Sequence, residues 1–567
     1  MKPDIQIALE HTPTPIKQIV QEKLGLTEDD LIPYGNYIAK VTLPTLNNLV
    51  AGKYRTNEQD GKLIVVTAIT PTRAGEGKTV TTIGLTQSLD YLGKRAQATI
   101  RQPSMGPVFG VKGGATGGGM SQVYPMWKID LEFTGDIHAV TSAHNLLSAL
   151  IDNHLAKDNR LNIDPTKVTW LRALDMNDRA LRKILIGLGG RTKGGLPRED
   201  GFLITAASEI MSVLALSRNI SELKERLANI TIGYTYDDKP VYARDLKAVG
   251  AMALILRDAL KPNLVQTLSG APASIHCGPF GNVAHGTASI TSILMALRTN
   301  DYVVNETGFA SDLGLEKFVN ITCRRYNLVP SAVVVVASCR ALRLHGGVAF
   351  EQSKVPNIDA LQAGVVNLDA HLDIVKNFGL KPVVAINQFA TDSEEEMLWL
   401  QTHCEELGVP SAVSEVYEKG APGGIALAQK VIEVAESEPT PELQFTYDLA
   451  DPIKEKIAKI ANQVYGATNV AYSTDALRAL QQIEAHDGTA KRYPICMAKT
   501  QSSISDDPLK LGAPRGFTVT VDDMRLYTGA EFIVPICGGI LLMPGLPDVP
   551  ASEGMDIDDE ENIIGLF

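Results

Sequence analysis

The sequence predicts an α/β protein in which a parallel sheet is covered by helices on both faces. Short runs of β-branched and other apolar residues recur along the 567-residue chain, and longer helical segments separate them. Each strand-like run is continuously apolar, as expected for strands buried on both faces of a parallel sheet.

The individual elements follow from these runs. Strands are predicted at residues 63–67, 230–234, 332–337 and 382–386. Helices are predicted at residues 79–92, 208–216, 246–260, 288–297 and 451–465. Because strands and helices alternate, the strands are expected to lie parallel in one or more covered sheets.

A linker is predicted at residues 436–441, which read Glu-Ser-Glu-Pro-Thr-Pro. Prolines at this density fit neither a helix interior nor a central strand. We therefore predict three domains: a large N-terminal α/β domain over residues 1–300, and two smaller α/β domains over residues 301–440 and 441–567.

Composition excludes several classes of protein. The net charge of −12 argues against nonspecific nucleic-acid binding, which needs a basic surface. The apolar runs are too short to cross a bilayer, and the N-terminal stretch around Asp4 lacks the apolar core of a signal peptide. Six scattered cysteines without a Cys-x-x-Cys pair suit free thiols. We expect a cytoplasmic enzyme with no nucleic-acid or membrane partner.

A glycine-rich segment lies between the first predicted strand and the first predicted helix, where a P-loop would lie. Its glycines would let backbone amides converge on a phosphate at the helix N-terminus. Lys78 would reach the β- and γ-phosphates, and the Thr79 hydroxyl would bind Mg²⁺. The predicted ATP-binding residues are Thr72, Arg73, Ala74, Gly75, Glu76, Gly77, Lys78 and Thr79.

The match to the P-loop pattern has one departure, because Thr72 stands where the pattern G-x-x-x-x-G-K-[ST] has its first glycine. The alternative interpretation is a glycine-rich turn that caps a helix, with Lys78 in solvent. The order of strand, loop and Gly-Lys-Thr favours nucleotide binding.

A second loop with functional character follows the next predicted strand. Arg101 would bring a planar guanidinium to an anionic intermediate. Seven glycines between Gly106 and Gly119 indicate a backbone that approaches a partner closely or adopts positive φ angles. Taken alone, such a run also fits a flexible loop.

Long blocks of the chain resemble formate–tetrahydrofolate ligases, also called 10-formyltetrahydrofolate synthetases. Two blocks match the characteristic motifs of that family, GVKGGATGGGM from Gly110 and VASCRALRLHGG from Val336. Further similar blocks keep the order of the family, namely FTGDIHAVTSAHNLL, KPNLVQTL, GPFGNVAHG, AKTQSSISDD and MPGLPDVPA. The resemblance covers nearly the whole chain, and the missing first glycine of the P-loop is itself a trait of the family.

The resemblance implies a ligase that makes 10-formyltetrahydrofolate, ADP and phosphate from ATP, formate and tetrahydrofolate. Formate is a poor acylating agent, because direct attack by an amine would have to expel oxide or hydroxide. Phosphoryl transfer to formate would give formyl phosphate, whose leaving group is phosphate. In this scheme Lys78 neutralises the transferring phosphoryl group and Arg101 binds formyl phosphate.

The resemblance also implies a folate site and further ligands. Phe389 and Tyr417 match positions whose rings stack on the pterin, and the predicted domain over residues 301–440 would contribute to this site. Mg²⁺ is expected with ATP at Thr79. A monovalent cation and a homotetramer are further expectations.

Several residues inside the matching blocks depart from the family pattern. Tyr417 replaces a usual tryptophan, Gln102 a customary glutamate, Cys277 a glycine and Gly281 an alanine. Neutral drift explains them most simply. The alternatives are a divergent paralogue with another small carboxylate or folate acceptor, and a catalytically silent regulatory P-loop protein.

Histidines offer a weaker alternative for metal binding. The pairs His138 with His144 and His276 with His285 match no standard ligand spacing, so we expect structural or active-site histidines instead. Asp136 is a candidate to support Mg²⁺ or a monovalent cation.

Overall fold

The computed structural model describes residues 2–73, 75–110, 115–486 and 488–566. Within these residues the largest sheet has twelve strands. In chain order they are β1 (Leu31–Pro33), β2 (Ala39–Val41), β3 (Lys62–Ala68), β4 (Ala96–Ile100), β5 (Gly117–Gly118), β6 (Ser121–Tyr124), β7 (Asn263–Thr267), β8 (Pro272–Ile275), β9 (Tyr302–Glu306), β10 (Ala332–Ala337), β11 (Pro382–Asn387) and β12 (Ser411–Ser414).

Most of this sheet is parallel. Its strand order is β1-β2-β7-β8-β4-β9-β3-β10-β11-β12, with β6 beside β7 and β5 beside β6. All neighbours from β8 to β12 along this order pair in parallel, whereas β1, β2 and β7 form an antiparallel edge. The predicted α/β class with a large parallel sheet is thus confirmed.

Helices cover both faces of the sheet, as the side chains of β3 show. Leu63 and Val65 pack into one apolar cluster, which includes residues of the helix Ile290–Thr299. Ile64 and Val66 point to the opposite face and pack with residues of the helices Lys78–Tyr91 and Ile425–Glu436. Successive side chains of a strand alternate between faces, so a strand apolar at every position needs helices on both sides.

Eleven of the described α-helices end before residue 300. They are Asp4–Glu10, Ile16–Ile19, Leu43–Val50, Lys78–Tyr91, Met105–Phe109, Met126–Asp130, Asp136–Ala156, Glu209–Leu216, Ile220–Ala228, Val249–Ile255 and Ile290–Thr299. Later α-helices are Arg324–Tyr326, Cys339–His345, Ile358–Gly364, Val366–Asn377, Glu394–Glu406, Val416–Lys419, Ile425–Glu436, Ile453–Gln463 and Thr474–Ala485. None of the described helices combines the length and apolar character needed to span a bilayer.

The boundary predicted at residue 300 falls inside one sheet. Strand β3 lies between β9 and β10, both of which come after residue 300. Near the other predicted boundary, no described helix or strand lies between Glu436 and Ile453. A separate sheet follows, formed by β13 (Asn469–Tyr472), β14 (Thr518–Tyr527) and β15 (Phe532–Cys537). The division into three domains stays a prediction.

Two predicted elements differ from the structure for local reasons. The strand predicted at residues 230–234 exists as Thr231–Thr235, but it pairs antiparallel with Pro240–Tyr242 in a small separate sheet. A tight turn with Asp238 at φ 60° returns the chain and makes this pairing antiparallel. The helix predicted at 246–260 is shorter and covers Val249–Ile255. It starts late because Lys247 has φ 57°, outside helical geometry.

Candidate active site

The residues singled out in the sequence lie on loops that follow the parallel strands. Arg101 comes after β4, the P-loop segment after β3, Phe389 after β11 and Tyr417 after β12. Because parallel strands end at the same edge of their sheet, these loops share the carboxyl edge, where α/β proteins bind ligands. Glu306, the last residue of β9, lies at the same edge.

The segment predicted to be a P-loop, residues 72–79, turns at two glycines with positive φ angles. Gly75 and Gly77 have φ angles of 75° and 78°. Gly77 directly precedes the helix Lys78–Tyr91, whose first-turn amides have no partner within the helix. A Cβ at Gly77 would lie 2.3 Å from Asn387 Nδ2, so only glycine fits there. Arg73 is exposed, and Ala74 lies outside the described residues.

The buried Glu76 holds this loop together through hydrogen bonds. Its Oε1 accepts hydrogen bonds from the Thr72 backbone N–H at 2.8 Å and the Thr72 hydroxyl at 2.9 Å. Its Oε2 accepts from the Ser338 hydroxyl at 3.3 Å, and its backbone carbonyl accepts from Asn387 Nδ2 at 3.1 Å. Burial raises the pKa of Glu76. The threonine at position 72 therefore has a structural role in this loop.

Glu306 connects the P-loop with Arg101. The Thr79 hydroxyl donates to Glu306 Oε2 at 2.7 Å, and Arg101 Nη2 lies 3.6 Å from Glu306 Oε1. Burial lowers the pKa of the neighbouring Lys78 ammonium, against the opposing influence of the Glu306 and Glu76 carboxylates. Glu306 was not predicted from the sequence. The signal was an acidic residue ending an apolar strand-like run.

The Thr79 and Glu306 side chains fit a magnesium ion. Mg²⁺ prefers oxygen ligands and is usually held by one or two protein groups together with substrate phosphates. A hydroxyl and a carboxylate 2.7 Å apart beside the P-loop supply such a set. In the described part of the chain, no group of three or more His, Cys, Asp or Glu side chains is arranged to hold a metal ion by itself.

The Arg101 side chain is largely buried, and one of its N–H donors has no hydrogen-bond partner. Its side chain is 17% exposed, and Nη1 donates to the Pro279 carbonyl at 3.3 Å. Its Nε is buried without a hydrogen-bond partner, and so are both amide atoms of Gln102. Buried donors are normally satisfied, so these groups indicate a place for a polar ligand. Residues 111–114 of the nearby glycine-rich block lie outside the described residues.

The protein-family model described as formate–tetrahydrofolate ligase matches residues 2–567. The chain belongs to the formate–tetrahydrofolate ligase family. Enzymes of this family are ATP-dependent ligases of one-carbon metabolism that use ATP and tetrahydrofolate, and the chain is an enzyme of this type. The match covers the P-loop segment, Arg101 and both aromatic positions.

The two aromatic residues predicted to stack on a pterin, Phe389 and Tyr417, lie in different surroundings. Phe389 is half-buried, and its backbone N–H donates to Asp392 Oδ2 at 2.9 Å. The Tyr417 ring is 37% exposed, and its hydroxyl donates to Asp4 Oδ1 at 3.2 Å. A Cβ at Gly118 would lie 3.0 Å from Tyr417 Cε2, so this glycine lets the backbone approach the ring. Among the described residues, no ring–ring contact joins Phe389 to Tyr417.

The histidines considered as metal ligands have other partners. Both ring nitrogens of His144 are hydrogen-bonded, to Ser208 Oγ and the Leu171 carbonyl. Those of His276 are likewise bonded, to Ser289 Oγ and the Ala259 carbonyl. Burial lowers the pKa of His276 to about 4 and that of His144 to about 3, so both rings are neutral at pH 7.

The other two histidines considered as metal ligands are His138 and His285. His285 is buried, and its Nε2 donates to the Ala288 carbonyl at 2.8 Å, whereas His138 is exposed. The carboxylate of Asp136, the candidate cation ligand, pairs with Lys40 Nζ at 2.8 Å and accepts from Asn263 Nδ2 at 2.8 Å. Asp136 therefore already has a cationic partner within the chain.

Two departures from the family pattern have structural consequences near Arg101. A Cβ at Gly281 would lie 2.6 Å from Phe309 Cε2, so the customary alanine would not fit beside this ring. Cys277 has φ 56°, a conformation that favours glycine and costs other residues about 1 kcal/mol. Its carbonyl accepts from the Gln102 N–H at 2.7 Å, which holds the chain after Arg101 in place.

Proposed function

We propose that this enzyme formylates tetrahydrofolate at the expense of ATP, through formyl phosphate. One observation carries the proposal: the Glu306 carboxylate lies between the Thr79 hydroxyl of the P-loop and the Arg101 guanidinium. A phosphate-binding loop and a partly unsatisfied guanidinium at one sheet edge suit phosphoryl transfer followed by capture of an acyl phosphate.

In the first step, the P-loop amides and Lys78 hold the triphosphate of ATP. A formate oxygen attacks the γ-phosphorus, and the bond between that phosphorus and the β–γ bridging oxygen breaks. ADP leaves with the electron pair, and the positive charge of Lys78 compensates the charge that develops. Thr79 and Glu306 would hold Mg²⁺, which when bound neutralises phosphate charge.

In the second step, Arg101 holds the phosphate group of formyl phosphate. The N10 amine of tetrahydrofolate attacks the formyl carbon, the carbon–oxygen bond to phosphate breaks, and the N10 proton passes to the departing phosphate. Phosphate leaves, and no covalent bond to the protein forms. Placing the amine and the acyl phosphate side by side supplies most of what this step needs.

The folate site is proposed at Phe389 and Tyr417. Both residues follow strands that end at the same edge as the P-loop, β11 and β12. Aromatic rings at this edge provide stacking faces for a pterin. A monovalent cation and a homotetramer remain proposals from the family resemblance, and the cation has no assigned ligands here.

ADP release measured with tetrahydrofolate plus formate, with acetate in place of formate, and without a carboxylate tests the proposal. We expect ADP release to depend on formate, and mass spectrometry to detect 10-formyltetrahydrofolate. Faster release with acetate would indicate a paralogue with another carboxylate. Release that needs no acceptor would indicate a P-loop ATPase, and no release a catalytically silent protein.

A further inference from the structure

Arg343, in the block VASCRALRLHGG, has no role in the proposed reaction, yet its side chain is fully buried. Nε donates to Glu396 Oε1 at 2.8 Å and Nη2 to Glu396 Oε2 at 2.6 Å, which makes a bidentate ion pair. Nη1 donates to the Ser353 carbonyl at 2.8 Å. The guanidinium is thus held in one orientation by packing and by hydrogen bonds.

Arg343 also reaches a second buried carboxylate. Nη2 lies 3.1 Å from Asp392 Oδ1, and the Asp392 side chain is 0% exposed. Buried ion pairs are weak evidence for stability, because desolvation cancels much of the attraction between the charges. A buried arginine shared by two carboxylates is therefore better explained by what it fixes in place.

The group that Asp392 fixes is the backbone of Phe389. Asp392 Oδ2 accepts from the Phe389 N–H at 2.9 Å, and the Phe389 carbonyl accepts from the Asp392 N–H at 2.9 Å. One carboxylate oxygen thus faces the guanidinium and the other the backbone that carries the proposed pterin platform.

The opposite end of the same loop is attached to the P-loop. Asn387 Nδ2 donates to the Glu76 carbonyl at 3.1 Å, and Asn387 is the last residue of β11. Residues 387–392 are therefore held at one end by the ATP-binding segment and at the other end by Arg343. Phe389 lies between the two attachments.

We propose that Arg343, acting through Asp392, is a positioning residue for tetrahydrofolate. It holds the backbone of Phe389 so that the ring is in place before the pterin arrives. A platform that is already ordered spares the ligand the cost of ordering it. This inference rests on the proposed function, which assigns Phe389 to the folate site.

The test compares Michaelis constants in the full-length enzyme. Asp392→Ala removes the link to Phe389 but leaves Arg343 its bidentate bond to Glu396, so the fold should persist. We expect the KM for tetrahydrofolate to rise about tenfold, with the KM for ATP changed less than about twofold. Arg343→Lys should also raise the KM for tetrahydrofolate, since a lysine ammonium cannot form the paired hydrogen bonds of a guanidinium.

Ser393→Ala is the matched control. Ser393 is the next residue, and its hydroxyl accepts from the Glu396 N–H at 3.2 Å and caps the helix Glu394–Glu406. Its side chain bonds to Glu396 and not to Phe389 among the described contacts. This variant should lower the melting temperature without raising the KM for tetrahydrofolate.

The double variant Phe389→Ala/Asp392→Ala decides whether Asp392 acts through the ring. We expect its KM for tetrahydrofolate to equal that of Phe389→Ala alone, because the position of a missing ring has no effect. Additive effects, or equal rises in the KM for ATP and for tetrahydrofolate, would overturn the positioning role. An unchanged KM in Asp392→Ala alongside a raised KM in Phe389→Ala would overturn it while leaving the proposed function intact. An unchanged KM in Phe389→Ala would overturn both the folate assignment and this inference.

Discussion

Thr79 and Glu306 are 227 residues apart in the chain, yet the threonine hydroxyl donates to the glutamate carboxylate at 2.7 Å. Their strands explain the contact: β9 lies beside β3 in parallel, with Glu306 opposite Val66. A carboxylate at the end of β9 is thereby brought to the start of the helix Lys78–Tyr91. The same carboxylate lies next to Arg101.

Glu306→Gln should lower turnover by about two orders of magnitude, because it removes a charge from the proposed Mg²⁺ site. The Mg²⁺ concentration for half-maximal activity should rise about tenfold. Magnesium titrations at saturating ATP measure both effects, with the exposed Glu433→Gln as the control. An unchanged magnesium dependence would remove Glu306 from the metal site.

Lys78→Ala should reduce formate-dependent turnover by orders of magnitude in a folded protein, since this ammonium would compensate charge on the transferring phosphoryl group. Steady-state ADP release measures the loss, and circular dichroism checks the fold. Lys53→Ala, at an exposed lysine, should behave like the parent enzyme. Near-normal turnover of Lys78→Ala would contradict the assignment.

Arg101→Ser should abolish synthesis and leave ATP binding largely intact, because the guanidinium is proposed to hold formyl phosphate rather than the nucleotide. Calorimetric titration with ATP and an activity assay together detect this split. If ATP binding disappears along with activity, Arg101 belongs to the nucleotide site instead.

Tyr417→Ala should raise the KM for tetrahydrofolate and Tyr417→Trp should lower it, with little change in the KM for ATP. Stacking on an aromatic ring contributes about 1–3 kcal/mol, and an indole offers more area than a phenol. Tyr417→Phe is the control, because it loses only the hydroxyl bond to Asp4. Unchanged constants in the Ala and Trp variants would mean that Tyr417 does not touch the pterin.

Glu209 should make the enzyme less stable as the pH rises. Burial raises its pKa to about 8, against hydrogen bonds from the Ala530 and Gly529 N–H groups. Between the ordinary glutamate pKa and this value the folded protein binds more protons than the unfolded chain, so the free energy of unfolding falls with increasing pH. Glu209→Gln should raise the melting temperature at pH 9 and leave it nearly unchanged at pH 4. Thermal melts compared with Glu405→Gln test this, and an equal shift at both pH values would contradict it.

The sequence was sufficient for structural features formed by residues close together in the chain. The β3 strand, the turn at Gly75 and Gly77 and the helix that starts at Lys78 are local features, and the structure has all of them. Phe389 and Tyr417 were assigned only through the family resemblance. Their surroundings depend on tertiary contacts such as that between Tyr417 and Asp4.

The sequence was insufficient where partners come from distant strands. Glu306 can be placed beside Thr79 only when β9 is known to lie beside β3. Asp392 can be connected with Arg343 only when the two side chains are known to face each other. The boundary at residue 300 was likewise predicted without knowledge of which strands lie side by side, and it stays a prediction. Hydrophobic periodicity indicates that a strand exists, but it does not give the order of strands in a sheet.

The position of β3 between β9 and β10 has a consequence for synthesis of the protein on the ribosome. The P-loop emerges early, yet both strands that flank it are translated only after residue 300. Until they arrive, β3 has no neighbour on either side, and Glu306 and Ser338 are not yet there to hold Thr79 and Glu76. Nascent chains shorter than about 340 residues therefore lack the contacts that hold the proposed ATP-binding segment, and we expect ATP binding only once β9 and β10 have paired with β3.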